Sequence, residues 1–214
     1  MMSMKRRSPL HMGLDPARVI TVGGWEIALS YYGETTHSSL VVSDLSHIRK
    51  WSIQHRGLEN VQVFGLPVPP RPRGVHATGG MVLARLGNSE ARLMAWEGDF
   101  PSSAVEPFWT DVTDAAASLA VVGPRCYDLL GKLSSVDLGA DPVPSAAMAP
   151  LEDVTCLIIQ LRGEHEIPGL IISCARGYGH FLIHAILDSG REYGIQAAGW
   201  ERFTRWARGM ESLS

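Results

Sequence analysis

The sequence predicts an α+β protein with two similar subdomains, in which helices pack on mixed or antiparallel sheets. The main observation is a unit at residues 110–133, where a polar β-prone segment and the apolar run 119–122 precede a Gly-Pro turn. Gly123 and Pro124 are expected at the N-cap and the first position of a helix. Apolar residues at i, i+3, i+4 and i+7 then form one helical stripe: Cys126, Leu129, Leu130 and Leu133.

A weaker copy of this unit precedes it by roughly 65 residues, which is the second observation. Residues 43–46 (Ser-Asp-Leu-Ser) correspond to residues 110–113 (Thr-Asp-Val-Thr). Gly57 follows the first aspartate at nearly the distance at which Gly123 follows the second. Two similar subdomains in one chain produce such a repeat, and chance similarity between short segments is the alternative.

The repeat and a loop at residues 98–107 suggest how the chain is divided. We expect an N-terminal arm at 1–20, a first α+β subdomain at 21–105 and a second at 106–214. The arm is mixed in composition and basic at its front. It is therefore expected to become ordered only against another surface.

Strand patterns outnumber helix patterns in the rest of the chain. The predicted strands are 24–32, a hairpin of 81–86 with 91–96, and a pair formed by 154–161 and 169–173. Helices are predicted at 178–193 and 199–209, and loops at 66–74 and 139–150, where proline or alanine is frequent. The helix at 199–209 is expected to dock its tryptophans on the body, with binding of a partner as the alternative.

Composition limits the class of protein. The chain has 214 residues, 45% of them hydrophobic, and a formal charge of -3, which is typical of a globular protein and unlike a disordered or dedicated nucleic-acid-binding chain. The three cysteines are widely spaced in apolar surroundings, so we expect no disulfide framework and a reducing cytoplasm. No apolar run approaches the length of a membrane helix, and the basic N-terminus lacks the apolar core of a signal peptide.

Motifs of known chemistry are missing from the sequence. His180 and His184 have an i, i+4 spacing without the glutamate of a zinc peptidase, so no metal site is expected. Phosphate-binding loops and nucleophile elbows are not found either. Asp44 and Asp111 are expected to bond the local backbone. The charged residues 162–166 are expected to form a solvated hairpin tip.

The order of the segments nevertheless resembles the glycine-cleavage T-protein superfamily, whose fold binds tetrahydrofolate, and within it the gamma subunit of heterotetrameric sarcosine oxidase. The resemblance covers roughly residues 7–200 and is made of short motifs whose order and spacing carry it. The segments similar to the gamma subunit are 7–10, 65–69, 86–94, 111–113, 122–125 and 137–138. Those similar to the wider superfamily are 32–34, 43–46, 187–190, 194–195 and 198–199. The resemblance implies an aminomethyltransferase folate-binding-like fold.

The chain departs from the superfamily where folate is recognised. Folate-dependent T-proteins carry Arg-x-Gly-Tyr-Thr-Gly-Glu-x-Gly-Phe-Glu, whose glutamate binds the pterin ring. The matching residues 162–171 lack Thr-Gly-Glu, Ile171 replaces the last glutamate, and Glu166 is close but not clearly in register. The catalytic aspartate pair also has no counterpart. Because a buried pterin donor left unpaired costs about 1–3 kcal/mol, the resemblance implies a relative that has lost folate chemistry.

The resemblance therefore implies a non-catalytic, gamma-like subunit of a heteromeric sarcosine-oxidase-type complex, without catalytic residues or a bound cofactor of its own. FAD, FMN, NAD and tetrahydrofolate are expected on partner subunits, and neither nucleic acid nor membrane is an expected partner. The alternative is a stand-alone tetrahydrofolate-dependent aminomethyltransferase or demethylase, in which Glu166, Arg162 and Tyr32 would contact the cofactor. A third interpretation is a scaffold or regulator unrelated to sarcosine.

Overall fold

The computed structural model describes residues 5–35, 38–98, 100 and 106–212. The α-helices within them are α1 (Cys126–Leu133), α2 (Gly179–Gly190) and α3 (Trp200–Arg208). The strands are β1 (Pro16–Val22), β2 (Trp25–Tyr31), β3 (Val41–Asp44), β4 (Arg49–Gln54), β5 (Gln62–Val63), β6 (Leu66–Pro67), β7 (Val75–Thr78), β8 (Met81–Arg85), β9 (Glu90–Ala95), β10 (Trp109–Asp111), β11 (Ala116–Val122), β12 (Ser145–Leu151), β13 (Val154–Arg162), β14 (Pro168–Ala175) and β15 (Gln196–Ala197).

Two larger sheets build the body, and the α+β class is confirmed. One has the order β10-β4-β9-β8-β7 and is antiparallel throughout. The other has the order β12-β13-β14-β11-β3-β15 and is antiparallel except where β15 joins β3. Each sheet takes one strand from the other half of the chain, since β3 pairs with β11 and β10 pairs with β4. The boundary proposed at residue 105 stays a prediction, but the sheets cross it.

The internal repeat has a structural counterpart in two matching turns. After β3, Asp44 Oδ1 accepts a hydrogen bond from the Ser46 N–H at 2.8 Å. After β10, Asp111 Oδ1 accepts one from the Thr113 N–H, also at 2.8 Å. Both aspartates therefore close local turns, as the sequence predicts.

The two turns also interlock with each other's following strands. Ser46 Oγ accepts a hydrogen bond from the Ser118 N–H of β11 at 3.3 Å. In the mirrored position, Thr113 Oγ1 accepts one from the Lys50 N–H of β4 at 3.1 Å. Each hydroxyl thus satisfies a buried backbone donor that belongs to the other copy of the repeat. These two hydrogen bonds lie where β3 and β10 each join the sheet built mainly from the other half of the chain.

Thr113→Val tests the interlock. The variant keeps the shape of the side chain but leaves the buried Lys50 N–H without its acceptor, so the free energy of unfolding should fall by about 1–3 kcal/mol in urea titrations. Thr155→Val replaces an exposed threonine on β13 and should change it by less than about 0.5 kcal/mol. Equal effects of the two substitutions would contradict the proposed role of the hydroxyl.

The central helix forms as predicted but begins later. Its stripe of Cys126, Leu129, Leu130 and Leu133 is fully buried. The expectation that Pro124 is the first helical residue is wrong, because a turn closed by the Cys126 N–H and the Gly123 carbonyl at 3.0 Å precedes α1. The predicted hairpins are confirmed in β8–β9 and β13–β14. The predicted helices are confirmed in α2 and α3, and α3 buries Phe203 and Trp206.

Two expected loops and the arm are more ordered than predicted. Ser145–Leu151 forms the edge strand β12. Pro150 has no N–H, which an edge strand tolerates because one side of its backbone has no neighbouring strand in the sheet. In the connector 66–74, Leu66–Pro67 pairs with Gln62–Val63 as a small ribbon. The arm is ordered against its own chain, because Leu10 and Met12 are buried in the core and β1 begins at Pro16; residues 1–4 lie outside the described residues.

The core fills three spaces around the sheets. Helices α1 and α2, together with the arm, cover one face of the six-stranded sheet that runs from β12 to β15. The two sheets pack on each other, and α3 closes this layer with Phe203 and Trp206. The outer face of the five-stranded sheet that runs from β10 to β7 is covered by residues 58–68 and Phe100, which pack around Trp51. None of the helices among the described residues is long and apolar enough to cross a membrane.

Candidate functional site

A cleft of about 620 Å³ lies where the arm crosses β2 and the turn after β3. We call it the arm cleft. The lining residues that matter for its chemistry are Arg6, Ser8, Trp25, Asp44, His47 and Trp200.

Local structure places these side chains. Asp44 ends β3, and His47 lies in the turn that the Asp44 carboxylate closes. Trp25 begins β2, and Trp200 begins α3. The imidazole of His47 packs edge-on against Trp200, with 4.5 Å between the ring centroids. The cleft therefore has an aromatic wall and two carboxylates, those of Asp44 and Glu26.

Burial controls the charges of this site. Burial raises the pKa of Asp44, opposed by hydrogen bonds from the Ser8 hydroxyl and from Ser46. Burial, with the nearby Lys50 cation, lowers the pKa of His47 to about 3, so this imidazole is neutral at physiological pH. Burial also lowers the pKa of Lys50 to about 7, opposed first by the charge of Asp44.

Lys50 lies behind the cleft and is completely enclosed. Its Nζ donates hydrogen bonds to the carbonyls of Ser46 at 2.8 Å and Ile48 at 2.9 Å. These bonds tie the turn that carries His47 to β4. Lys50 therefore positions the turn and does not reach the cleft itself, whose lining excludes it.

Two buried polar atoms at the cleft lack partners. Trp25 Nε1 and His47 Nε2 make no hydrogen bond to any described residue. A buried donor left unpaired costs about 1–3 kcal/mol.

The arm holds the cleft partly closed. The Arg6 N–H donates to the Gly24 carbonyl at 2.8 Å, and Lys5 pairs with Glu26 at 2.7 Å. The guanidinium of Arg176 also donates to the Arg7 carbonyl. A molecule that fills the cleft must displace or share these contacts.

The three residues predicted to contact a cofactor lie elsewhere. Arg162 and Glu166 sit together at the tip of the β13–β14 hairpin, with Arg162 Nε 4.0 Å from Glu166 Oε2. The Glu166 side chain is 74% exposed, in agreement with a solvated tip. Tyr32 lines a separate depression with Leu187 and Arg191, and neither Arg162 nor Glu166 is part of that lining. A ligand role for these residues stays a prediction.

The histidine pair on α2 is exposed. His180 Nε2 and His184 Nε2 lie 3.2 Å apart. In the part of the chain that the structure describes, no group of three or more His, Cys, Asp or Glu side chains converges as metal ligands.

The neutral His47 makes stability sensitive to acid. Its pKa is about 3 in the folded chain against 6.5 when unfolded, so the unfolded chain binds the proton first and the free energy of unfolding falls as pH drops below 6.5. Between pH 6.5 and pH 4, the free energy of unfolding measured in urea titrations should fall by about 2–3 kcal/mol more in the wild type than in His47→Phe. His165→Asn on the exposed hairpin should keep the wild-type dependence, and an unchanged slope in His47→Phe would contradict the assignment.

Comparison with known proteins identifies the fold. No model of a known protein family matches the chain. A stretch of 107 residues is 32% identical to an aminomethyltransferase of Clostridium botulinum (strain Langeland), and the match spans 50% of this chain but 28% of that protein.

Two solved structures share the architecture. A chain of the heterotetrameric sarcosine oxidase from Corynebacterium sp. U-96, in complex with pyrrole 2-carboxylate, has a TM-score of 0.60 at 18% identity, covering 74% of this chain and 87% of that one. The glycine cleavage system aminomethyltransferase T from Bartonella henselae has a TM-score of 0.66 at 16% identity, covering 95% of this chain and 62% of that one. The chain described here thus has the aminomethyltransferase fold.

Proposed function

We propose that this chain is a non-catalytic, gamma-like subunit of a cytoplasmic sarcosine-oxidase-type complex. The complex would oxidatively demethylate a small N-methyl amino acid and pass the one-carbon unit to tetrahydrofolate. FAD, FMN, NAD and tetrahydrofolate would be bound by partner subunits.

The observation that carries this proposal is the exposed apolar ribbon of β1 and β2. Val19, Ile20 and Val22 of β1 are 47%, 38% and 56% exposed, and Leu14, which precedes β1, is 44% exposed. Among the described strands β1 pairs with β2 alone, so the outer edge of β1 has no neighbouring strand. Apolar surface of this kind on a strand edge is typical of protein interfaces. We assign the ribbon to the contact with a flavin-bearing subunit.

Two further observations support a subunit without its own active site. The chain's own arm occupies the mouth of the arm cleft, with Ser8 bonded to the Asp44 carboxylate. The matched chain of the heterotetrameric sarcosine oxidase is similar in length to this one, because the alignment covers most of both.

The ribbon can be tested by capture of the partner. When this chain is tagged and co-expressed with flavin-bearing subunits of a sarcosine-oxidase-type enzyme, flavin should co-purify with it. The double variant Ile20→Lys/Val22→Lys places two charges on one face of β1 and should reduce the captured flavin by about tenfold or more, because charges are depleted at interface cores. Met148→Lys is the matched control, since Met148 is 53% exposed on β12. Equal capture by both variants, or none by the wild type, would contradict the proposal.

A folate-dependent enzyme remains the second candidate, favoured by the unpaired Trp25 Nε1 and His47 Nε2 in a cleft that has Lys5, Arg6 and Arg7 at its mouth. Such a site suits a flat heterocycle with an anionic tail. Thermal unfolding with saturating tetrahydrofolate discriminates the two candidates, with a folate-binding T-protein as positive control. A rise of several degrees that Trp25→Phe reduces would favour the enzyme; no rise, with the control responding, favours the subunit.

A further inference from the structure

Two of the three cysteines face each other across neighbouring strands. The register of β13 and β14 pairs Leu157 with Ser173 and Ile158 with Ile172, which sets Cys156 directly opposite Cys174. Directly opposed residues of an antiparallel pair have Cβ atoms about 4.5–5.5 Å apart, near the separation of about 3.5–4.5 Å that a disulfide requires. Both side chains point into the core beneath α1 and α2, and both are free thiols.

The two thiols interact, and their acidities differ as a result. A hydrogen bond between them raises the pKa of Cys156, and burial raises it further. The same hydrogen bond lowers the pKa of Cys174, against the effect of burial. Because the thiolate is the nucleophilic form of cysteine, Cys174 is the better nucleophile of the pair.

Access favours the same residue. Cys174 is 5% exposed, whereas Cys156 and Cys126 are fully buried. Burial raises the pKa of Cys126 to about 12, so this third thiol has neither access nor an acidic partner. A small uncharged oxidant therefore meets Cys174 first.

We propose that Cys156 and Cys174 form a redox dithiol that hydrogen peroxide converts into a disulfide between β13 and β14. In the first step the Cys174 sulfur attacks one peroxide oxygen. An S–O bond forms, the O–O bond breaks, and the departing hydroxide takes up the thiol proton as water. In the second step the Cys156 sulfur attacks the Cys174 sulfenic acid. The S–S bond forms, the S–O bond breaks and a second water leaves. Two electrons pass from the sulfurs to the peroxide.

This inference is independent of the proposed function and is tested on the full-length folded chain. After titration with hydrogen peroxide, the intact mass should fall by about 2 Da, the mass of two hydrogen atoms. Non-reducing peptide mapping should then join the peptides that contain Cys156 and Cys174, dithiothreitol should separate them, and Cys126 should remain an alkylatable thiol. A chain that keeps all three thiols free, or that links Cys126 as readily as Cys156, overturns the proposal.

Two variants separate the roles of the sulfurs. In Cys156→Ser the Cys174 sulfenic acid has no resolving thiol, so dimedone should label Cys174 several times more than in the wild type. In Cys174→Ser, oxidation of Cys156 should slow by at least about tenfold, because the accessible and more acidic thiol is gone. If a variant folds poorly, peptide mapping of the wild type still shows whether Cys156 and Cys174 become linked. Equal dimedone labelling of the wild type and Cys156→Ser would contradict the order of the two steps.

Discussion

Gly123→Ala is expected to destabilise the folded chain strongly. Gly123 has a φ of +139°, a conformation that residues with a side chain rarely adopt. A Cβ atom built there would overlap the backbone carbonyl oxygen of Ser39, which cannot rotate away as a flexible side chain can. Strained φ values alone cost about 1–3 kcal/mol, and the overlap adds to this, so the free energy of unfolding should fall by at least about 3 kcal/mol.

Gly131→Ala is the matched control within the same unit. Gly131 lies inside α1, and a Cβ atom there meets nothing within 4 Å. Alanine is favoured over glycine in a helix, so this variant should gain about 0.5–1 kcal/mol. Urea titrations of the two variants and the wild type measure both effects. A tolerated Gly123→Ala would mean that the turn between β11 and α1 is not built as described.

Phe203→Ala is expected to have the second large effect. Phe203 is 1% exposed where α3 closes the layer between the two sheets. Its ring centroid lies 5.3 Å from that of Trp96, 5.3 Å from that of Trp200 and 5.9 Å from that of Trp206. Truncating a buried phenylalanine costs about 3–5 kcal/mol through lost transfer energy and the cavity left behind.

Phe181→Ala tests the same substitution on a different surface. Phe181 lies on α2 and is 47% exposed, so its truncation should change the free energy of unfolding by less than about 1 kcal/mol. Thermal and urea unfolding of both variants measure the difference. If Phe203→Ala were as mild as Phe181→Ala, α3 would not be part of the folded body.

The elements that the sequence predicts well are those set by local patterns. The stripe from Cys126 to Leu133 requires a helix of that register, and the apolar runs of β13 and β14 flank a short charged segment, which makes a hairpin. The strand β12 was missed because proline and alanine are weak strand formers. It forms since β13 offers it an unpaired edge.

The candidate site was predictable only in part, because burial depends on contacts far apart in sequence. The local turns of Asp44 and Asp111 follow from their residue types. The burial of Lys50 and His47 follows instead from the exchange of β3 and β10 between the sheets, which pairs residues at least 56 positions apart, as in Trp109 with Ile53. The local sequence gives one indication that Lys50 is enclosed, which is that the apolar residues Ile48 and Trp51 lie close to it on both sides.

The proposed role of this chain as a structural subunit of an amine-oxidising complex is tested most directly by one measurement. The flavin-bearing subunits carry the tag, the complex is purified with and without this chain, and its native mass and its flavin reduction by an N-methyl amino acid are recorded. We expect this chain to be retained at a fixed stoichiometry, the complex to reduce its flavin, and the isolated chain to show no activity. A fully assembled, active complex that never retains this chain would contradict the proposed role.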